Sequence, residues 1–82
     1  MRKVKNNHHE LLKSIGDHIR MARKAKKWSQ YELATRSDIN RTYLGYVENG
    51  KFNVSIQKLC DIANALEIDI RDLFFTSEIG KK

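Results

Sequence analysis

The stretch SQYELATRSDINRTYLGYVENG, residues 29–50, decides the fold because it predicts two short capped helices joined by a tight turn. The hydroxyl of Ser29 can cap the first helix, and Glu32 can reach back to the Ser29 amide to complete a capping box. Asn40 can cap the second helix in the same way. Gly50 stands where a helix commonly ends in a left-handed residue, so the second helix is predicted to have about eight residues.

The apolar residues of this stretch recur at helical spacing and predict one small core beneath the two helices. They are Leu33, Ala34, Ile39, Leu44 and Val47. The surface left outward on the second helix consists of Arg41, Thr42, Tyr43, Gly45, Tyr46 and Asn49. A solvated helix face, which is the alternative, normally carries Glu and Lys pairs, whereas tyrosines beside an arginine are typical of a contact surface.

The composition predicts a single all-α domain. The chain has 82 residues, of which 40% are hydrophobic, no proline and four glycines. This length leaves no room for a second domain, and no two-residue alternation typical of strands is present.

The apolar spacing outside residues 29–50 predicts three more helices. The first runs from residue 9 to about 26, the fourth follows a cap at Ser55 and ends near Leu66, and a short fifth follows a cap at Asp69. Their inward residues are predicted to be Leu12, Ile15, Ile19, Ala22, Ile56, Leu59, Ile62, Ala63, Leu66, Ile70, Leu73 and Phe74. We expect residues 9–76 to form the domain, between a flexible basic tail at 1–8 and a flexible tail at 77–82.

The charge is distributed unevenly along the chain. The formal net charge is +6, yet residues 1–28 hold nine Lys or Arg against Glu10 and Asp17, whereas residues 29–82 hold seven against eight acids. A molecule with a basic and an acidic pole should orient in the field of a polyanion, of which DNA is the commonest. A membrane surface would also attract it, but no apolar run approaches the roughly 20 residues of a membrane span, and no signal peptide is apparent.

No pattern of catalytic or metal-binding residues is present. Cys60 is the only cysteine and stands among apolar residues, so a small buried side chain is expected there rather than a reactive thiol. The three histidines, at positions 8, 9 and 18, fit no familiar metal-ligand spacing with it. We therefore expect no enzyme activity, no cofactor and no small-molecule ligand.

Taken together, these motifs resemble the Cro/C1-type helix-turn-helix domain of the lambda and 434 repressors, a five-helix DNA-binding fold of the XRE family. The resemblance covers about residues 15 to 75, and helices two and three would form the helix-turn-helix. The matching segments are Ser29-Gln30, Glu32-Leu33-Ala34, Glu48-Asn49-Gly50-Lys51, residues 59–66 and Asp72-Leu73-Phe74. The run Asn40-Arg41-Thr42-Tyr43-Leu44 is most similar to the controller proteins of restriction-modification systems, which are short dimers without an effector domain.

The resemblance implies a role for each matching residue. The DNA phosphates would be bound by Ser29, Gln30, Asn49, Lys51 and Asn53, which would set the register of the protein on the duplex. The bases would be read in the major groove by Arg41, Thr42, Tyr43 and Tyr46, with a bidentate pair from Arg41 to guanine as the main specificity contact.

The resemblance also implies an ion pair between Arg23 and Glu48, tying the first helix to the end of the recognition helix. The alternative is that Arg23 is one more cation that binds phosphate. The family often has glycine at the positions of Lys27 and Asp38. Because lysine tolerates the left-handed conformation less well than aspartate, a different local geometry is expected in the first loop.

A single module of this size buries only roughly 600–1,000 Å² on DNA, which favours a homodimer. The apolar residues Ile68, Ile70, Phe74 and Phe75 at the acidic end are the predicted interface, although Leu73 and Phe74 could equally close the core. The expected function is therefore that of a homodimeric, sequence-specific transcriptional regulator in the cytoplasm of a bacterium, or encoded by a phage. It would bind operator DNA and control its own operon. The alternatives are a phage-type repressor, and an antitoxin or adaptor whose main partner is another protein.

Overall fold

The computed structural model describes residues 8–74, which form four α helices and one short 3-10 helix. The elements are α1, His8–Ala25; α2, Gln30–Ser37; α3, Arg41–Glu48; α4, Ile56–Leu66; and the 3-10 helix η1, Ile70–Leu73. No strand occurs within residues 8–74, as the all-α prediction requires. The predicted count of five helices is not reproduced, because η1 is a single 3-10 turn. Of the predicted tails, residues 1–7 and 77–82 lie outside the described residues, while His8 begins α1.

The predicted helix caps are present. The side-chain oxygens of Ser29, Asn40 and Ser55 each accept a hydrogen bond from the backbone N–H three residues later, at 3.0, 3.1 and 3.1 Å. The other half of the predicted capping box is different, because the Glu32 carboxylate pairs with Arg36 one turn further along α2. The caps fix where α2, α3 and α4 begin.

Left-handed residues follow each of the four α helices. Gly50 adopts φ 70° after α3, and Lys27, Asp38 and Glu67 adopt φ values of 63°, 57° and 62° after the other three. Lysine therefore does not prevent the left-handed conformation in the first loop. A non-glycine residue in this region costs roughly 1–2 kcal/mol, which the packing on either side must offset.

The core lies between α1, α2, α3, α4 and η1. Its buried members are Ile15, Ile19, Leu33, Ala34, Ile39, Leu44, Val47, Leu59, Ile62, Ala63, Leu66 and Leu73. Two predictions for α4 need correction. Ile56 was expected to face inward but is 62% exposed, because the first residue of α4 lies beyond the edge of the core. Cys60 is half-buried rather than fully buried.

The backbones of α1 and the end of α3 approach closely. A Cβ placed on Gly16 would lie 2.5 Å from the Glu48 carbonyl oxygen, and one on Gly50 would lie 2.8 Å from the Lys13 Cα. Only glycine fits at either contact. Because α1 holds the C-terminal end of α3, the start of α3 is left at the surface.

Candidate nucleic-acid interface

The first turn of α3 is exposed, as predicted. Leu44, Val47 and Glu48 are buried on one side of the helix, so the opposite side faces outward. Arg41, Thr42 and Tyr46 are exposed there, while Tyr43 and Gly45 are half-buried. The outward face of α3 therefore contains all four predicted base-reading residues.

The Arg41 side chain has no hydrogen bond or ion pair with any other of residues 8–74. It lines a groove of about 430 Å³ beside α2, together with Tyr31 and Thr35. A second groove, of about 450 Å³, is lined by Tyr43, Asn53 and Lys58 and borders the loop side of α3. The start of α3 thus stands between two grooves, and the five N–H donors of the Arg41 guanidinium are available to a ligand.

Gln30 lies across the middle of α3. A Cβ on Gly45 would be 3.8 Å from the Gln30 Oε1, so the amide rests against the one position of α3 without a side chain. The Gln30 Nε2 donates to the Glu48 Oε1 at 3.0 Å. An amide nitrogen carries two hydrogens, so this bond fixes the side chain and leaves a second donor for a phosphate.

Glu48 is the centre of the network that positions these side chains. Its carboxylate is fully buried and accepts bonds from the Arg23 Nε at 2.7 Å and Nη2 at 2.9 Å. The Arg23 Nη1 also donates to the Trp28 carbonyl at 2.9 Å. Arg23 therefore pairs with Glu48 across the fold and links α1, the start of α2 and the end of α3. Because the guanidinium is buried, the alternative role in phosphate binding does not fit its position.

Arg20 has a role that the sequence analysis missed. Its Nη2 donates to the Glu48 carbonyl oxygen at 2.8 Å and to the Asn49 Oδ1 at 3.2 Å, and its Nη1 donates to Asp17 at 3.0 Å. The Asn49 oxygen is thus occupied, and its NH₂ group is the part left to donate to a phosphate. The spacing between Arg20 and Arg23 could have indicated this role, because residues three apart share a helix face.

Phe52 is a second residue that the sequence analysis missed. Its ring centroid lies 5.4 Å from that of Tyr43 and 5.0 Å from that of Tyr46. The neighbouring Lys51 and Asn53, both predicted to bind phosphate, are exposed in the same loop. The sequence feature that could have indicated a role for Phe52 is an aromatic residue between the polar residues Lys51 and Asn53.

The remaining predicted phosphate-binding residue, Ser29, is exposed at the start of α2, where its hydroxyl caps the helix. Of the predicted dimer residues, Ile68, Ile70 and Phe74 are half-buried and pack partly against the core. Phe75 lies outside the described residues. Leu73 is fully buried, so it closes the core.

The Nδ1 of His18 lies 2.8 Å from the Leu73 carbonyl oxygen, which joins α1 to η1. Within residues 8–74, no group of three or more His, Cys, Asp or Glu side chains is placed to hold a metal ion. No helix in the same range has the length and apolar character needed to cross a membrane.

Comparison with known proteins identifies the same motif. The sequence model of the protein family described as Helix-turn-helix matches residues 19–73. Control protein C.MunI from Mycoplasma sp. is 40% identical over 69 residues, which cover 83% of this chain and 90% of that protein.

Solved structures agree with this match. The restriction-modification controller protein C.AhdI from Aeromonas hydrophila superposes with a TM-score of 0.75 at 43% identity, covering 77% of this chain and 96% of that one. The master regulator for biofilm formation SinR, in complex with DNA, gives a TM-score of 0.70 at 34% identity, covering 74% and 98%. Two other relatives are longer, and the chain spans only 29% and 40% of their lengths. These matches confirm the predicted helix-turn-helix family and the similarity to restriction-modification controllers.

Proposed function

The chain belongs to the helix-turn-helix family, and we propose that it is a transcriptional regulator that binds double-stranded operator DNA with α3 in the major groove. One observation carries this proposal. The first turn of α3 is exposed and Arg41 is unpaired within residues 8–74, while Gln30 and Asn49 are held along the same helix by buried or half-buried partners. Such an arrangement offers free donors for bases between fixed donors for phosphates.

The proposed base contacts follow from the chemistry of the outward face of α3. The Arg41 guanidinium can donate two parallel hydrogen bonds to O6 and N7 of guanine. The methyl group of Thr42 and the rings of Tyr43 and Tyr46 can contact the methyl group of thymine. These four residues would distinguish the operator from other DNA.

The proposed phosphate contacts lie on either side of the base-reading surface. Ser29 and Gln30 are at the start of α2, and Asn49, Lys51 and Asn53 follow the end of α3. A duplex that accepts α3 in its major groove presents phosphates along both edges of that groove. Contacts at both positions would fix how far α3 enters it.

We propose that two copies of the chain bind two half-sites about one DNA turn apart, roughly 34–36 Å. The interface would include Ile68, Ile70 and Phe74, whose side chains remain half exposed, together with Phe75. Sedimentation of the protein alone should show dimers. Monomers alone at high micromolar concentration would contradict this interface.

The similarity to C.MunI and C.AhdI supports a controller that regulates its own operon. The alternatives raised by the sequence are a phage-type repressor, and an antitoxin or adaptor that mainly holds another protein. Footprinting on the DNA upstream of the chain's own gene separates a self-regulating DNA-binding protein from an antitoxin or adaptor. A protected two-fold site there supports self-regulation, whereas absence of any protected site would favour the protein partner.

The decisive experiment compares Arg41→Ala with Gln30→Ala on the protected duplex and on unrelated DNA. Loss of a bidentate guanine contact should weaken specific binding by about 1–3 kcal/mol and leave binding to unrelated DNA unchanged. Loss of a phosphate contact should weaken both. Met21→Ala is the control, because Met21 is 66% exposed on α1, outside the proposed DNA-binding and dimer surfaces, and should affect neither. Equal losses on both duplexes in Arg41→Ala would refute its base-reading role.

A further inference from the structure

We propose that Phe52 is a specificity-determining residue that holds the Tyr43 and Tyr46 rings as one aromatic flank of α3, which recognises thymine methyl groups. The inference rests on the proposed function, because it concerns how α3 reads DNA. It adds a residue from outside α3 and assigns the two sides of the helix to different chemistry.

The geometry joins three rings from two segments. Tyr43 and Tyr46 are one turn apart on α3, and Phe52 in the following loop reaches both, with interplanar angles of 36° and 56°. Both centroid distances fall within the roughly 4.5–7 Å of favourable aromatic pairs. Phe52 therefore packs against both tyrosine rings.

The loop that holds Phe52 is tied to α3 itself. Gly50 turns the chain back with its left-handed backbone, and the Lys51 N–H donates to the Tyr46 carbonyl at 2.9 Å. The backbone that leads into Phe52 is therefore attached to the end of α3.

The core does not require this cluster. Tyr46 and Phe52 are 44% and 42% exposed and belong to neither the buried core nor the half-buried layer around it. Only Tyr43 packs partly against the core. Adjacent exposed aromatic rings on a small domain are typical of a contact surface, since single scattered apolar residues are the ordinary case.

The opposite flank of α3 is polar. Arg41 and the Gln30 amide lie on the side next to α2, with Gly45 contributing no side chain between them. In the major groove the guanine edge offers acceptors, whereas thymine offers an apolar methyl group. Donors on one flank and rings on the other match these two features. Because Phe52 has no hydrogen-bonding group, it can discriminate only through apolar contact and through the placement of the two tyrosines.

The test begins with selection of binding sites from a random duplex library by the full chain. The selected duplex is then compared with versions in which deoxyuridine replaces thymidine at single positions, which removes the methyl group and keeps the base pairing. Burial of one methyl group corresponds to a change in affinity of about fourfold. The wild type should lose about fourfold at each contacted thymine.

In Phe52→Ala and Phe52→Leu, the ratio of the affinity for thymidine to the affinity for deoxyuridine should be close to one at the same positions. The preference for guanine at positions read by Arg41 should be kept. The leucine variant retains apolar volume without a ring. The control is Met21→Ala, since Met21 is 66% exposed on α1, and the wild-type ratios should be unchanged in it. Thermal unfolding checks that the Phe52 variants are folded, which is expected because the ring is outside the core.

The possible failures are distinguishable. If the wild type selects no sequence, the proposed function is overturned, and this inference with it. If the wild type selects a sequence but the Phe52 variants keep its thymine-to-deoxyuridine ratios, only the role of Phe52 is overturned. The same holds if no deoxyuridine position weakens wild-type binding.

Discussion

Replacing Arg23 with methionine should show how much the ion pair with the buried carboxylate of Glu48 contributes to the free energy of unfolding. Arg23 supplies two of the three hydrogen bonds that the carboxylate accepts from residues 8–74, and Gln30 supplies the third. Removing one partner of a buried pair costs about 3–5 kcal/mol, against about 0–1 kcal/mol for an exposed pair. Gln30 remains, and the Arg20 Nε lies 3.8 Å from the carboxylate. We therefore expect Arg23→Met to lower the free energy of unfolding by about 3 kcal/mol, near the low end of that range.

Urea unfolding followed by far-ultraviolet circular dichroism measures this change. Fluorescence of Trp28, the only tryptophan, gives a second probe at the junction of α1 and α2. Coincidence of the two transitions would show that the variant unfolds in one step. Arg41→Met is the matched control, because the exposed Arg41 side chain has no hydrogen bond or ion pair within residues 8–74, so the stability of this variant should stay close to that of the wild type.

A double variant makes the reasoning refutable. Arg23→Met combined with Glu48→Leu removes both charges, and an apolar pair of similar volume is often as stable as a buried ion pair. The double variant should therefore be more stable than Arg23→Met alone. A loss of less than about 1 kcal/mol in Arg23→Met, as expected for an exposed pair, or a double variant no more stable than Arg23→Met, would contradict the role assigned to the buried pair.

Two further predictions concern the packing of α3 and the cap of η1. Gly16→Ala should lower the free energy of unfolding by about 1–3 kcal/mol, because its Cβ would meet the backbone at the end of α3. Gly45→Ala has room for a methyl group and should raise the free energy of unfolding by about 0.5–1 kcal/mol. Thermal unfolding that changed stability in the same direction for both variants would contradict this packing. Hydrogen bonds from Arg71 lower the pKa of Asp69 from 3.8 to about 2, so the stabilisation is present above pH 3.8 and is lost as the pH falls towards 2. An NMR titration should find the pKa of Asp69 near 2 and nearer its ordinary value in Arg71→Ala, which keeps the backbone N–H bond, and an unchanged midpoint would exclude the Arg71 side chain as the main cause.

The sequence predicted what depends on local chemistry. The boundaries of α3 follow from an asparagine cap and a left-handed glycine, both of which act within a few residues of the helix end. The core residues follow from helical periodicity. Ile56 is the exception, because periodicity places residues on a face but does not say where the core ends along a helix. The predicted fifth helix is only a 3-10 turn, and a cap with an apolar face does not distinguish the two over four residues.

The sequence did not predict contacts between distant segments. Arg20 lies 28 positions before the carbonyl that it binds, and its spacing from Arg23 indicates a shared helix face but not the segment that this face contacts. The pairing of Arg23 with Glu48 was expected from the resemblance, and no spacing rule within one helix could have indicated it. For Phe52, the loop conformation that returns its ring to α3 depends on Gly50 and on the Lys51 hydrogen bond, neither of which specifies an aromatic partner.

The structure also shows how much of the basic charge in the first part of the chain is used within the protein itself. Of the six cations between residues 8 and 28, Arg23 is buried against Glu48, Arg20 binds Asp17 and the end of α3, and Lys26 contacts Glu67. Three of the six are thus engaged within the protein, so the sequence charge overstates what α1 and its loop can offer to phosphates. The two arginines instead hold the end of α3. A weaker affinity for DNA after substitution of Arg23 would therefore reflect a displaced recognition helix rather than a lost phosphate contact, because its guanidinium is buried against Glu48.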